Sequence, residues 1–474
     1  MQTYNMIIDG KTVSSVNDFE VINPATGATF AKCALGDEST VDLAVAAAQR
    51  AFVTWRDVSD EEKVSKVNAL ASILEQNMPE LMELVTKESG KPMGGLNDIG
   101  SGMEVGGSIA WTQYTGSLSL SVDSVQDDDL ASIEVHRKPL GVVASITPWN
   151  WPLMIAIWHV IPAIRAGNTV LIKPSPLTPV ATMRFVELAN TVLPPGVLNV
   201  ITGDGPVGNV ISNHPGINKI VFTGSTQTGK KIMSAASGNL KRLTLELGGN
   251  DAGILLADVD VKAIAPKLFA ACFHNNGQTC ACLKRLYVHE SIYDEVCSEM
   301  AAIAKSVVVG DGLEEGTQLG PVQNKMQLTK VKELIDDAIQ QGAKILAGGN
   351  NLGGDGYFYP PTIVSDISDG VRLVDEEQFG PVLPIIKYAD INEVLTRSNN
   401  NECGLGGSVW SKDISKAKAI AAKMETGSVW INDHGAIQPN APFGGVKQSG
   451  IGVEFGQYGL EEYVSLQTIK VCKA

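Results

Sequence analysis

From residue 141 onward, short β-rich runs alternate with helix-length segments, and this alternation leaves few folds open to the chain. The runs are GVVASI (141–146), TVLIK (169–173), LNVIT (198–202), KIVFT (219–223) and LTLEL (243–247). Strands separated by helices imply a mostly parallel sheet covered on both faces. A second alternation follows Cys280: LKRLYVHE (283–290), helices near 291–306 and 325–341, then AKILAGG (343–349). The predicted class is therefore α/β, with two doubly wound parallel-sheet units in series and a seam near Gly248–Gly249. Upstream, residues 39–89 read as helices. Ser59-Asp60-Glu61-Glu62 forms a capping box ahead of one long periodic segment, Val64 to Leu84. Residues 116–138 and 461–471 alternate polar and apolar positions and read as strands outside both units. They can pair with each other or, through an exposed edge, with another subunit.

A chain of 474 residues exceeds one small core, so two or three structural units are expected. The formal net charge of −15 argues against a nucleic-acid partner, which needs a basic face. Seven cysteines in so long a chain make no disulfide framework and favour a reducing compartment. The N-terminus carries no basic segment followed by an apolar run. The longest apolar stretch, around Trp149–Ile164, is broken by Pro152, His159 and Pro162 and is too short to span a bilayer. A cytoplasmic location without a membrane partner is the expectation.

Two segments carry reactive chemistry. Cys280 follows a polar, glycine-containing approach, FHNNGQTCAC (273–282), and Glu246 stands among leucines ahead of Gly248-Gly249. A thiol nucleophile and a carboxylate in an apolar strand are the parts that make and then hydrolyse a thioester. Asn150, within TPWNWP (147–152), can aim an amide N–H at a developing oxyanion; the same segment also suits a structural turn with aromatic packing. Lys173 ends a strand and points into a ligand crevice, or else is a solvated lysine in a proline turn. Gly203-Asp204-Gly205-Pro206-Val207-Gly208 spells GxGxxG, but the following strand, 219–223, ends without the acidic residue that would hold a ribose. A tight strand-to-helix turn opened by Pro206 is the better expectation there. The next turn, Thr223 to Lys230, is the stronger phosphate candidate. Gly224 and Gly229 allow close backbone approach, Ser225 adds a hydroxyl, and a helix N-terminus offers free N–H groups. Its spacing is not that of an ATP-binding loop. Cys272, His274, Cys280 and Cys282 lack the paired clips of a zinc site, so no metal is expected.

Taken together, TPWNWP, KPSP (173–176), FTGSTQTG (222–229), LELGG (245–249), GQTC (277–280), EQFGP (377–381) and PFGGVKQSG (442–450) resemble, in order and spacing, the aldehyde dehydrogenase superfamily. The resemblance runs from about Asn23-Pro24 to the C-terminus. It implies a cofactor domain (1–115 and 139–247), a catalytic domain (248–445) and an oligomerisation β-flap (116–138 and 456–474), assembled as a homodimer or homotetramer. Cys280 looks like the nucleophile, Asn150 with the Cys280 backbone N–H like the oxyanion hole, and Glu246 like the general base. Lys173 would contact the adenosine ribose, Ser225 with Gly224 and Gly229 the pyrophosphate, and Glu377 the nicotinamide ribose, with Phe379 beside the nicotinamide. Trp149 and Leu247 join the cofactor contacts. Trp151, Trp158, His159, Phe273 and His274 are the candidates around substrate.

The resemblance also marks departures. Pro176 stands where NAD-preferring members often carry a ribose-binding glutamate, so NAD is expected and NADP stays open. His159 stands where many members have a lysine in the proton path, and Ser465 where some have a glutamate. Glu246 argues against a CoA-acylating enzyme, whose relatives typically lack it, and the intact Cys280, Glu246 and Asn150 argue against an inactive binding or structural protein. With no evident arginine clamp, a neutral aliphatic or aromatic aldehyde is the expected substrate.

Overall fold

The computed structural model describes residues 2–473; Met1 and Ala474, the outermost residues of the expected cofactor unit and flap, lie outside the described residues. Five strands run parallel in the first sheet, in spatial order Arg242–Glu246, Lys219–Thr223, Val142–Ile146, Thr169–Lys173 and Leu198–Val200. Progress across the sheet reverses between Val142–Ile146 and Lys219–Thr223, where a doubly wound sheet opens a crevice at its carboxyl edge. Antiparallel strands extend both edges, Met6–Ile8 on one side and Gly450–Ile451 on the other.

The chain leaves this sheet after Glu246 and enters a seven-stranded second sheet at Ala252–Leu255. Within it Thr362–Ile367, Val382–Tyr388, Arg285–His289, Ala252–Leu255, Gly406–Trp410 and Ser428–Ile431 are parallel, and Lys344–Ala347 adds an antiparallel edge. Val142–Ile146, Thr169–Lys173 and Lys219–Thr223 are buried at every residue. That is why they read as continuous apolar runs, each Val, Leu or Ile contributing about 1.5–3 kcal/mol on burial.

Helix Pro152–Arg165 carries the longest apolar stretch and is buried at every residue but Pro162, wrapped in protein on all sides. No helix among the described residues is long and apolar enough to cross a membrane. A third sheet stands apart, with Val464–Cys472 pairing antiparallel along the whole of Ala131–Pro139, and Asp123–Asp127 on its other side.

Two expectations need correction. The segment Val64–Leu84 is not one helix. Ser59 does cap helix Asp60–Gln76, but Pro79 forces a new start and a second helix runs Met78–Ser89, because proline cannot donate to the preceding turn. The β reading of 116–138 begins too early as well: Gly116 and Ser117 finish helix Ser101–Ser117, and pairing starts only at Asp123.

Candidate active site

Cys280 follows a sharp turn, His274–Gly277, in which Asn275 and Asn276 take left-handed φ of 49° and 59°. Asparagine tolerates that conformation better than other residues with a Cβ. The turn is fixed from inside: Asn275 Nδ2 donates to the Asn150 carbonyl (3.0 Å) and to Gln278 O (3.2 Å). Asn150 Nδ2 donates to Gln278 O at 2.9 Å, leaving its second N–H free. Gly249 passes so close behind the thiol-bearing loop that a Cβ there would lie 2.7 Å from Cys280 O, and one on Gly248 would lie 2.6 Å from Glu377 Oε2. Only glycine permits this approach of one sheet's carboxyl end to the other's loop.

Electrostatics at the thiol come mainly from burial. Desolvation pushes the Cys280 thiol up to about 12, Lys284 pulls the other way, and Glu246, Asp251 and Glu377 add to the rise. Lys284 bonds the carbonyls of Thr279 (2.9 Å) and Cys280 and lies 3.4 Å from Glu377. Burial alone would lower its ammonium, but Cys282, Glu377, Asp251 and Cys280 outweigh that and keep it charged. Sequence reasoning passed over Lys284, although its place four residues after Cys280 was a usable signal. Cys282, by contrast, is buried and gives its S–H to Gly277 O.

Glu246 is buried with neither carboxyl oxygen bonded to protein. Desolvation, followed by the charge of Glu454, raises its carboxyl well above the ordinary range. Glu454 is a second missed residue. Its Oε1 lies 3.0 Å from His159 Nε2, and the His159 ring also sits 3.0 Å from both Ser145 Oγ and Thr223 Oγ1. His159 is thus fully buried in a polar cluster beneath the first sheet's carboxyl edge and does not line the substrate cavity, contrary to expectation. Ser465 lies elsewhere, half-buried in the third sheet with Lys138 O as its partner.

A cavity of about 420 Å³ leads to Cys280. Trp151, Trp158 and His274 line it as expected, joined by Trp111, Met103 and Phe443, which come from distant segments. Phe273 does not line it: fully buried, it stacks on Phe269 (4.5 Å between rings) and faces the core of the second unit. Burial holds His274 down at about 4, so its imidazole is neutral. The charged groups in the wall, Lys267 and Asp433, are half exposed and face each other at 3.3 Å.

None of the cofactor candidates lines that cavity. Lys173 is buried and donates to Gly203 O (2.8 Å) and Pro174 O (3.1 Å), so one of its three donors is unused. Desolvation lowers it to about 8, opposed by Asp204. Ser225 caps helix Thr226–Ala236 through Thr228 N, which leaves neighbouring N–H groups at that helix start open to an anion. Gly224 N donates to Glu246 O (3.0 Å), and Gly229 packs against Leu247. Glu377 accepts from Gly249 N at 3.0 Å, and Trp149 meets the edge of Phe379 at 5.3 Å. The GxGxxG segment is a tight turn into helix Gly205–Asn213, with Pro206 in its first turn. Among the described residues no group of three metal-ligating side chains occurs.

A doubly wound sheet with an open helix start at its carboxyl edge, joined to a second unit bearing a thiol, supplies the parts that a nucleotide-using oxidoreductase needs. The comparisons narrow this. The profile of the aldehyde dehydrogenase family matches residues 12–469. Phenylacetaldehyde dehydrogenase of Pseudomonas fluorescens is 40% identical over 485 residues, covering 99% of this chain and 96% of that protein. Among solved structures, a single-site variant of the Bacillus cereus aldehyde dehydrogenase superposes with a TM-score of 0.96 at 33% identity, over 100% of this chain and 97% of that one. Betaine aldehyde dehydrogenase of Staphylococcus aureus, solved with NAD+, gives 0.95 at 33% identity, over 99% and 95%. The chain belongs to the aldehyde dehydrogenase family, oxidoreductases that use NAD(P).

Proposed function

We propose that this protein oxidises a neutral, apolar aldehyde to its acid through a Cys280 thioester that water hydrolyses. The observation that carries this is Cys280 in the lining of an aromatic cavity together with Glu246, buried and unpartnered at the carboxyl end of strand Arg242–Glu246. The Cys280 thiolate adds to the aldehyde carbon, and the carbonyl oxygen becomes an oxyanion. The free N–H of Asn150 and the Cys280 backbone N–H receive that charge. A bound NAD(P)+ supplies the hydride acceptor, and hydride loss leaves the thioester. Water then attacks the acyl carbon while Glu246 takes its proton, and the Cys280 sulfur leaves. Glu454, whose charge adds to the rise at Glu246, and His159 beside it would take that proton onward.

Lys173, with its spare donor, would hold the adenosine ribose. The helix start at Ser225, with Gly224 and Gly229, would take the pyrophosphate. Glu377 would hold the nicotinamide ribose, with Phe379, Trp149 and Leu247 packed beside the cofactor. Pro176 presents no carboxylate to a 2′-phosphate, and we read the preference as NAD with NADP tolerated. We assign residues 1–115 and 139–247 to cofactor, 248–445 to catalysis, and 116–138 with 456–474 to assembly as a homodimer or homotetramer. The unpaired thiols suit a cytoplasmic, reducing setting.

The substrate reading rests on charge and shape. Lys267 is committed to Asp433 and to Asn432 O, so a carboxylate-bearing aldehyde finds no free cation in the cavity wall. An aromatic ring gains about 2–3 kcal/mol from burial there. An arylacetaldehyde should accordingly exceed a semialdehyde carrying a carboxylate by roughly 10²-fold in kcat/KM, read from NADH absorbance. Equal values would remove the substrate reading. The same assay run with NADP should give measurable turnover below that with NAD, and a higher kcat/KM with NADP would overturn the cofactor preference.

A further inference from the structure

Lys91 is a lysine with no exposed side-chain surface, lying where the cofactor unit meets the thiol-bearing loop. It follows Gly90, whose φ of 79° ends helix Met78–Ser89. Its ammonium makes three contacts. It pairs with the fully buried Glu104, donates to the Asn150 carbonyl at 2.8 Å, and sits 3.5 Å from the centre of the Trp151 ring. Glu104 is itself committed, since its other oxygen accepts from Leu153 N (2.9 Å) and Met154 N (3.2 Å), two orphan donors in the first turn of helix Pro152–Arg165.

We propose that Lys91, held by Glu104, is a positioning residue that sets the oxyanion-hole side chain Asn150 and the cavity wall Trp151 in a single register. This rests on the reading of Asn150 as an oxyanion donor. A buried ion pair seldom yields net stability over a well-packed apolar pair, so stability alone does not account for a charge placed here. The geometry does. Asn150 and Trp151 are adjacent but have separate duties, one toward the reacting oxygen and one toward the aldehyde's apolar body. Their shared backbone is fixed from the cofactor side by Lys91 and from the thiol side by Asn275, both on the Asn150 carbonyl. Glu104 locks the following helical turn to the same ammonium. A shift of the Asn150 amide by a fraction of an ångström spoils the transition-state hydrogen bond without touching the thiol.

The test is a double-mutant cycle in the full-length enzyme, with rates normalised to active sites titrated by thiol alkylation. Lys91→Met combined with Glu104→Gln removes both charges and leaves no unpaired one. It should lower kcat by about ten- to a hundred-fold, with NAD affinity, read by fluorescence quenching, unchanged. In an Asn150→Ala background the same pair of substitutions should cost less than about threefold, because the register it sets no longer has an object. An equal loss in both backgrounds, or lost NAD affinity, overturns the inference and leaves a structural role. If Asn150→Ala alone leaves turnover intact, the oxyanion reading fails first and takes this inference with it. Should the methionine variant not fold, Lys91→Gln with Glu104→Gln keeps a neutral donor near Asn150 O and is read in the same cycle.

Discussion

Cys280→Ala is expected to abolish aldehyde-dependent NADH formation, with turnover falling by at least about 10³-fold, because no other group at the foot of the cavity can hold the acyl carbon. Cys282 is no substitute, being buried with its S–H given to Gly277 O. Cys272 is buried too, and desolvation raises its thiol well above the ordinary range. The fold should survive, since removing a half-buried thiol from a loop opens little cavity. Near-normal NADH formation by the alanine variant would sink the assignment of the nucleophile. The wild-type thiol carries a pH signature as well. Its pKa is raised, so the thiolate is the minor form at neutral pH and grows tenfold per pH unit until pH reaches that pKa. Without cofactor, alkylation of Cys280 by iodoacetamide should therefore climb steadily from pH 7 to pH 10. A plateau near pH 7 would mean that Lys284 outweighs the desolvation.

The parts legible in the sequence are those whose physics is local. The central strands Val142–Ile146, Thr169–Lys173 and Lys219–Thr223 are buried on both faces, so each reads as an apolar run whatever its neighbours are. The tight approaches at Gly248–Gly249 and the capped helix start at Ser225 leave glycine and hydroxyl signatures in place. Glu454, Lys91 and Glu104 left no such mark. Each is an ordinary charged residue in sequence, and each becomes important only because the fold buries it. Glu454 meets His159 across 295 residues of chain, and Lys91 meets Asn150 across 59. Phe273 misled for a related reason: seven residues from Cys280 in sequence, it lies on the opposite face of helix Val261–Phe273 from the cavity. His159 stands out as a departure from the family pattern, but its contact with Glu454 depends on the chain's return from 295 residues away and leaves no local signal.

Glu246→Gln separates the two halves of the reaction, because the amide keeps the size of the carboxyl but cannot accept a proton from water. Acylation uses the thiol, the oxyanion donors and NAD+ as hydride acceptor but activates no water, so a first burst of NADH should persist at close to one equivalent per active site. Steady-state turnover should then fall by about 10²–10⁴-fold, the usual worth of a positioned general base. The acyl group should remain on Cys280 and appear by intact-mass spectrometry as the aldehyde mass less two hydrogens. Prompt release of free acid would count against Glu246 as the base. The wild type supplies the matching pH test. Burial and Glu454 raise the Glu246 carboxyl, so its basic form appears only as pH rises through that raised value. Deacylation should thus accelerate as pH rises through that raised value, above the ordinary carboxylate range, and the Gln variant should lose that slope. Retention of the slope in the variant would move the base elsewhere, to Glu454 or to His159.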